Sequence, residues 1–335
     1  MKAAFYPGEG KPVVIEDLPE PTPGPTDVVI KVHRCGICGT DLSMTKGEMW
    51  DYGPGQFGHE YAGEIVALGS AVEGYKLGDK IAVLPSGSCG QCEGCKGGNP
   101  VLCRNAPGVT RGFAEFAQVP ADVAVKLPNT LSMADGALVE PLAISLYGVR
   151  QSRIQPGDKV LVLGGGAVAL YAIYWARRLG AGRIVAASRS ARRKDLCLEM
   201  GADAFVQFGD NEVGEVIEAL GGSPDIVYEC VGVEGMLTKA IMHAKLYGTV
   251  VSLGFCTHPD PVMPAMGSYK CVTLQFLVGY TMKDFLYIAD HLDQGHADPK
   301  AIITNEIPLL GLPEMMETLR GPNAETKVHV NPAAG

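Results

Sequence analysis

The run Lys159-Val160-Leu161-Val162-Leu163, broken by Gly164-Gly165-Gly166 and resumed as Ala167-Val168-Ala169-Leu170, constrains this chain more than any other segment. An apolar, β-branched run that stops at glycines and continues without charge reads as a buried strand, a tight turn and a helix. Strands apolar on both faces occur where helices cover a parallel sheet on each side. Glycines let the backbone approach a ligand closely, and the N–H groups opening the helix at Ala167 and Val168 favour an anion such as a pyrophosphate. Gly164, Gly165, Gly166, Ala167 and Val168 are therefore candidate cofactor contacts, with Ala169 at the third glycine position, where its methyl must fit against the strand. The uncharged stretch 160–176 approaches membrane-span length, but the glycines inside it argue for strand, turn and helix.

The same style recurs around it. Arg183–Ala187, 190–200, Asp225–Glu229 and Gly248–Ser252 continue the alternation of strand and helix that implies a parallel sheet between about 156 and 280. Residues 1 to about 130 read differently: short runs such as Val28-Val29-Ile30-Lys31-Val32, Ile65-Val66-Ala67-Leu68 and Lys80-Ile81-Ala82-Val83-Leu84 between glycines and prolines predict an all-β domain. The tail predicts a helix over 283–294, a strand near Ile302–Ile307, a helix near 312–320 and a last strand at Thr326–Val330 that packs back on the first domain. The expected class is α/β, with one domain over 1–148 completed by 283–335 and a dinucleotide-binding domain over 149–282.

Cys89, Cys92, Cys95 and Cys103 form a C-x2-C-x2-C-x7-C pattern. Two-residue gaps let successive thiolates converge on one point, and the intervening glycines permit the turns this needs. Four thiolates close a tetrahedral zinc shell with no open position, so this zinc is expected to be structural. A second constellation lies upstream in Gly36-Ile37-Cys38-Gly39-Thr40-Asp41 and Gly58-His59-Glu60. A thiolate, an imidazole and a carboxylate suit zinc, and a catalytic zinc keeps three protein ligands and one exchangeable position. Cys38, His59 and either Glu60 or Glu140, the latter in Leu138-Val139-Glu140-Pro141, would supply them, and Asp41 is expected to orient a ligand from behind. Two zinc ions per chain follow.

An NAD-type fold places an acid at the end of the second strand to accept from the ribose 2′-hydroxyl. In Ile184-Val185-Ala186-Ala187-Ser188-Arg189 that place is taken by Ser188, with Arg189 beside it and Arg193 a helical turn further on. A 2′-phosphate could be held there by charge-assisted bonds, which predicts NADP(H) over NAD(H); the alternative is an ordinary solvated helix start.

The formal charge of -9 leaves no general basic footprint, so nucleic acid is not an expected partner. The N-terminus Met1–Gly8 has no apolar signal core, and ten cysteines without a secretory context read as ligands or core residues, so a cytoplasmic location and no membrane partner are expected.

Taken together, Gly36–Asp41, Gly58-His59-Glu60, the cysteine lobe at 89–103, Gly112–Phe116, Val139-Glu140-Pro141 and Leu163–Leu170 resemble the zinc-containing medium-chain dehydrogenase/reductase family, in order along essentially the whole chain. Glu60 after His59, and Glu140-Pro141 in place of a cysteine ligand, bring it nearest the polyol, threonine and secondary-alcohol dehydrogenase branch. The resemblance implies a GroES-like β catalytic domain, a Rossmann domain, and a small-molecule alcohol or ketone as substrate. It also implies that Cys230, Val231, Leu253, Gly254 and Phe255 approach the cofactor, that Thr40 takes the alcohol proton, and that the molecule is a homodimer or homotetramer. The apolar run Val272–Val278 is a candidate edge strand for such a contact. Where many relatives carry a histidine to finish the proton relay, this chain has Ser43, so the proton is expected to leave through water. Trp50, Phe57, Phe255 and Phe276 are candidates for an apolar substrate wall. The rival readings are a zinc-free quinone or enoyl reductase of the same fold, or a zinc-ribbon interaction protein.

Overall fold

A computed structural model describes residues 1–49, 53–106, 108–295 and 298–334. The chain divides into two units, Met1–Ala143 with Tyr280–Gly335, and Ile144–Gly279. The expected boundary at 148/149 falls inside the helix Met133–Gln151, which sequence patterning did not reveal. That helix is buried along most of its length, so it has no polar face to mark a 3.6-residue period, and Pro141 sits within it.

In the first unit a seven-stranded sheet runs in the order Ile303–Pro308, Lys327–Asn331, Asp27–Gly36, Glu60–Leu68, Lys80–Val83, Ala124–Lys126, with Phe116–Pro120 also paired to Asp27–Gly36. Ile303–Pro308 and Lys327–Asn331 are parallel; the other pairs are antiparallel. Both C-terminal strands thus join a sheet begun by the N-terminal third. Ile30, Ile65, Ile81, Tyr61 and Phe113 fill its core. A smaller sheet pairs Lys2–Tyr6 with Val14–Asp17 and Gly55–Gln56.

In the second unit six parallel strands run in the order Ala204–Gln207, Arg183–Ser188, Lys159–Leu163, Ile226–Glu229, Thr249–Ser252, Thr273–Phe276. The order reverses direction between Lys159–Leu163 and Ile226–Glu229, and in open parallel sheets ligands bind at the carboxyl ends of the strands at such a switch. Leu161, Leu163, Val185, Val227 and Val250 pack against Val216, Leu220, Ala240 and Ile241 from the helices Glu212–Leu220 and Met236–His243. The expected helix over 190–200 is shorter: a 3-10 turn at Ala191–Arg193 leads into Lys194–Glu199, with Ser190 capping its start through Arg192 N–H. Among the described residues no helix is long and apolar enough to cross a membrane.

Candidate metal centres and dinucleotide site

The strand Asp27–Gly36 delivers the chain to Cys38, which precedes the short helix Gly39–Thr45. The Cys38 backbone N–H donates to Asp41 Oδ2 at 2.9 Å, and Asp41 Oδ1 lies 3.3 Å from His59 Nδ1. One carboxylate therefore fixes both the cysteine turn and the imidazole, turning Nε2 away from it. His59 reaches this place through Gly58, whose φ of +93° and contact with the Phe113 ring leave no room for a side chain.

Glu60 stands opposite Gly36 in the sheet, and a Cβ at Gly36 would overlap its Oε2. Lys327 Nζ donates to Glu60 Oε1 at 2.7 Å and Oε2 at 2.6 Å, and to the Ile37 carbonyl at 3.2 Å. Both side chains are buried, 3% exposed for Lys327 and 1% for Glu60. Burial acts to lower the Lys327 pKa, but Glu60 and the other acids around it raise it above the ordinary lysine value. Lys327 is a residue that the sequence reading missed. The available signal was a lysine opening a C-terminal strand in which Val328 and Val330 alternate with polar residues.

Cys38, His59 and Glu60 bring one ligand atom each within 4.8 Å of the others. Burial would lower the His59 pKa, yet Asp41 and Cys38 outweigh it and raise the imidazole well above its usual range. The place between those anions favours a cation. With Cys38 as thiolate, Asp41 and Glu60 add two more negative charges against the ammonium of Lys327, so a divalent metal fits both the donor set and the local charge. Glu140 lies outside the 4.8 Å cluster. Its carboxyl is buried in the helix Met133–Gln151, bonded by the Tyr280 hydroxyl, and pushed up to about 7 chiefly by burial, with Glu60 raising it and His59 and Tyr280 opposing. Thr40 and Ser43 share one face of the helix Gly39–Thr45, both partly buried.

Cys89, Cys92, Cys95 and Cys103 also converge within 4.8 Å, and all are free thiols. Sγ separations of 3.9 Å for Cys89 and Cys95 and 3.4 Å for Cys92 and Cys95 are far from bonded sulfurs. Backbone N–H groups of Gln91 and Cys92 draw the Cys89 thiol down to about 6, toward the thiolate that zinc requires. Four sulfurs fit a closed tetrahedral zinc.

In the second unit Gly164 adopts φ +123° at the end of its strand, and the helix Ala167–Arg178 starts from Gly166 with its first N–H groups free of intrahelical partners. Ser188 ends the neighbouring strand; a Cβ at Gly165 would stand 3.8 Å from Ser188 Oγ and 3.7 Å from Arg193 Cβ. Arg193 Nη1 donates to the Gly165 carbonyl at 3.4 Å. Burial lowers the Arg193 pKa, and repulsion from Arg192 lowers it further. Arg189 is exposed, its carbonyl accepting from Gln207 Nε2. Cys230 to Gly232 and Leu253 to Phe255 lie side by side: a Cβ at Gly232 would come within 2.7 Å of Phe255 N. Of the four candidate wall residues, Phe57 is buried in the first unit against Phe113, while Phe255 and Phe276 are exposed in the second. Trp50 lies outside the described residues.

Residues 24–129 match the family described as alcohol dehydrogenase GroES-like domain, and residues 167–293 match zinc-binding dehydrogenase. Sorbitol dehydrogenase of Bacillus subtilis is 30% identical, over 99% of this chain and 97% of that one. The crystal structure of 2R,3R-butanediol dehydrogenase from Bacillus subtilis superposes with a TM-score of 0.89 at 31% identity, covering 99% of both chains. A zinc-binding dehydrogenase from Sinorhizobium meliloti, crystallised with NADP, gives 0.90 at 33% identity with the same coverage.

Proposed function

This chain belongs to the zinc-containing medium-chain dehydrogenase/reductase family, and we propose that within it the protein interconverts a secondary alcohol and its ketone with NADP(H). The observation that carries the reading is the cluster of Cys38, His59 and Glu60, braced by Asp41 and Lys327. A mixed set of three donors leaves a fourth position for a substrate oxygen, whereas the four-cysteine lobe leaves none. Cys38, His59 and Glu60 are assigned to the catalytic zinc, Cys89, Cys92, Cys95 and Cys103 to the structural one. When bound, the first zinc supplies Lewis acidity that lowers the pKa of an alcohol hydroxyl and polarises a carbonyl in reverse, and the nicotinamide exchanges the hydride.

The chain's own residues do the rest. Asp41 holds the His59 ring by Nδ1, and Lys327 holds Glu60 by both oxygens, so two of the three donors are aimed before any ion arrives. Thr40 takes the proton from the substrate hydroxyl, and with Ser43 on the next turn of the same face the proton passes on to water. Glu140, held by Tyr280, stands outside this donor set. Arg193 and Ser188 beside the glycine turn favour a 2′-phosphate.

The relatives named for sorbitol and butanediol support a hydroxylated aliphatic substrate. The strand Thr273–Phe276 at the sheet edge, with Phe276 68% exposed, supports assembly with a second copy, and ten free cysteines support a reducing, cytoplasmic setting. The test is a panel of secondary alcohols, polyols and ketones with both dinucleotides, followed by the near-ultraviolet absorbance of reduced nicotinamide, together with metal analysis. Turnover with NADP(H) by a protein holding zinc in both sites is expected. Turnover of quinones or enones by a zinc-free protein would instead establish the rival reductase.

A further inference from the structure

Glu229 is the last residue of a central strand, and its side chain is 1% exposed. Its neighbours in register are Leu163, directly before the glycine turn, and Ser252, directly before Leu253. It therefore sits where the strand order reverses, between three loops at the carboxyl end of the sheet. Its Oε1 accepts the backbone N–H of Val231 at 2.6 Å and of Gly232 at 2.9 Å. Its own carbonyl accepts the N–H of Leu253 at 2.7 Å and of Gly254 at 2.8 Å. One residue thus satisfies four backbone donors from two loops. The loops touch backbone to backbone: a Cβ at Gly254 would overlap Gly232 N and approach Glu229 Oε2 to 2.7 Å. The first loop also reaches the glycine turn, since a Cβ at Gly164 would lie 3.3 Å from Val231 Cγ2, and Cys230 N donates to the Leu163 carbonyl at 3.0 Å.

We infer that Glu229 is the positioning residue of the dinucleotide site, its side-chain oxygen and carbonyl locking the loops 230–232 and 253–255 into one preformed wall beside the glycine turn. The inference rests on the proposed dinucleotide function. Because the carboxylate is folded back on the N–H groups of its own loop, its acceptor geometry rather than its charge is what the wall needs. Without the acceptor, two N–H groups in a crowded turn lose their partner, the loop leaves this conformation, and the cofactor must reorder it on binding.

The test compares wild type, Glu229→Gln, which keeps an oxygen at that position, and Glu229→Met, which keeps the volume without an acceptor. NADPH and NADH binding is measured by calorimetry, and initial rates are measured on the zinc-loaded enzyme. Glu229→Met should weaken dinucleotide binding and raise the dinucleotide KM by about tenfold or more, with kcat and the alcohol KM changed less than about threefold, and Glu229→Gln should restore most of the loss. Wild-type affinity in Glu229→Met, or an equal loss in Glu229→Gln, overturns the inference while leaving the enzyme's assignment intact. A wild-type protein that binds neither dinucleotide overturns both. Should Glu229→Met fail to fold, hydrogen exchange of the cofactor-free wild type decides: slow exchange at Val231, Gly232, Leu253 and Gly254 supports the preformed wall, and exchange at the rate of an open loop refutes it.

Discussion

Replacing Lys327 by methionine isolates the pair that braces the proposed catalytic metal. The two side chains are almost fully buried and 2.6 Å apart, with the ammonium kept charged by its acidic surroundings. At an effective dielectric near 20 the gross attraction is ~6 kcal/mol, much of it offset by the desolvation of both groups. Removing one partner of such a pair leaves a buried charge uncompensated, and typically costs about 3–5 kcal/mol. For a unit of this size that corresponds to a fall in Tm of roughly 6–20 °C. Scanning calorimetry of metal-stripped protein should show that loss for Lys327→Met. It should be smaller in zinc-loaded protein, where an ion beside Glu60 replaces the missing positive charge. Adding Glu60→Gln should return most of the stability, because the orphaned carboxylate is gone. Additive losses in the double variant, with a coupling below about 0.5 kcal/mol, would show that the two side chains do not support one another and would refute the reasoning.

On the proposed NADP reading, Arg193→Ala should lower kcat/KM for NADPH by about tenfold or more while leaving NADH nearly unchanged, because only NADPH carries a 2′-phosphate for Arg193 to hold; equal effects on both dinucleotides in initial-rate assays would remove the basis for NADP preference. Thr40→Val should cut kcat by roughly two orders of magnitude with zinc content unchanged, and wild-type kcat across pH would exclude the relay. Cys95→Ser should reduce bound zinc from about two to about one per chain and lower Tm, read by metal analysis and calorimetry. His329 is 1% exposed with neither ring nitrogen hydrogen-bonded, and burial, then Lys327 and Arg34, push its pKa down to about 3 from 6.5. The folded state holds the ring neutral while the unfolded chain takes up a proton below 6.5, so stability present above that pH is lost as the pH falls toward about 3. By linkage the loss between about pH 8 and about pH 4.5 is roughly 2–3 kcal/mol, and His329→Leu should lack that part of the pH dependence in denaturant titrations.

The elements most legible in the amino-acid order were those with local causes. Lys159–Leu163, the glycine turn and the helix from Ala167 announce themselves through apolar periodicity and residues that tolerate positive φ, and the two-residue gaps in the cysteine lobe bring its sulfurs together whatever the rest of the chain does. The helix Met133–Gln151 escaped because periodicity reports only a helix with two unlike faces. The choice between Glu60 and Glu140 was equally invisible: both are carboxylates near apolar residues, and they differ only in what faces them. Strand pairing separates them: it sets Glu60 over Gly36 and brings Lys327, 267 positions away, to its oxygens, while Glu140 meets Tyr280. Glu229 shows the same division, since a strand-ending glutamate is unremarkable until parallel register places it among three loops. Local sequence therefore determined which candidate ligands and turns this protein owns. Only the tertiary structure decided which of them act together, because burial and long-range pairing are properties of the assembled sheets, not of any stretch of chain.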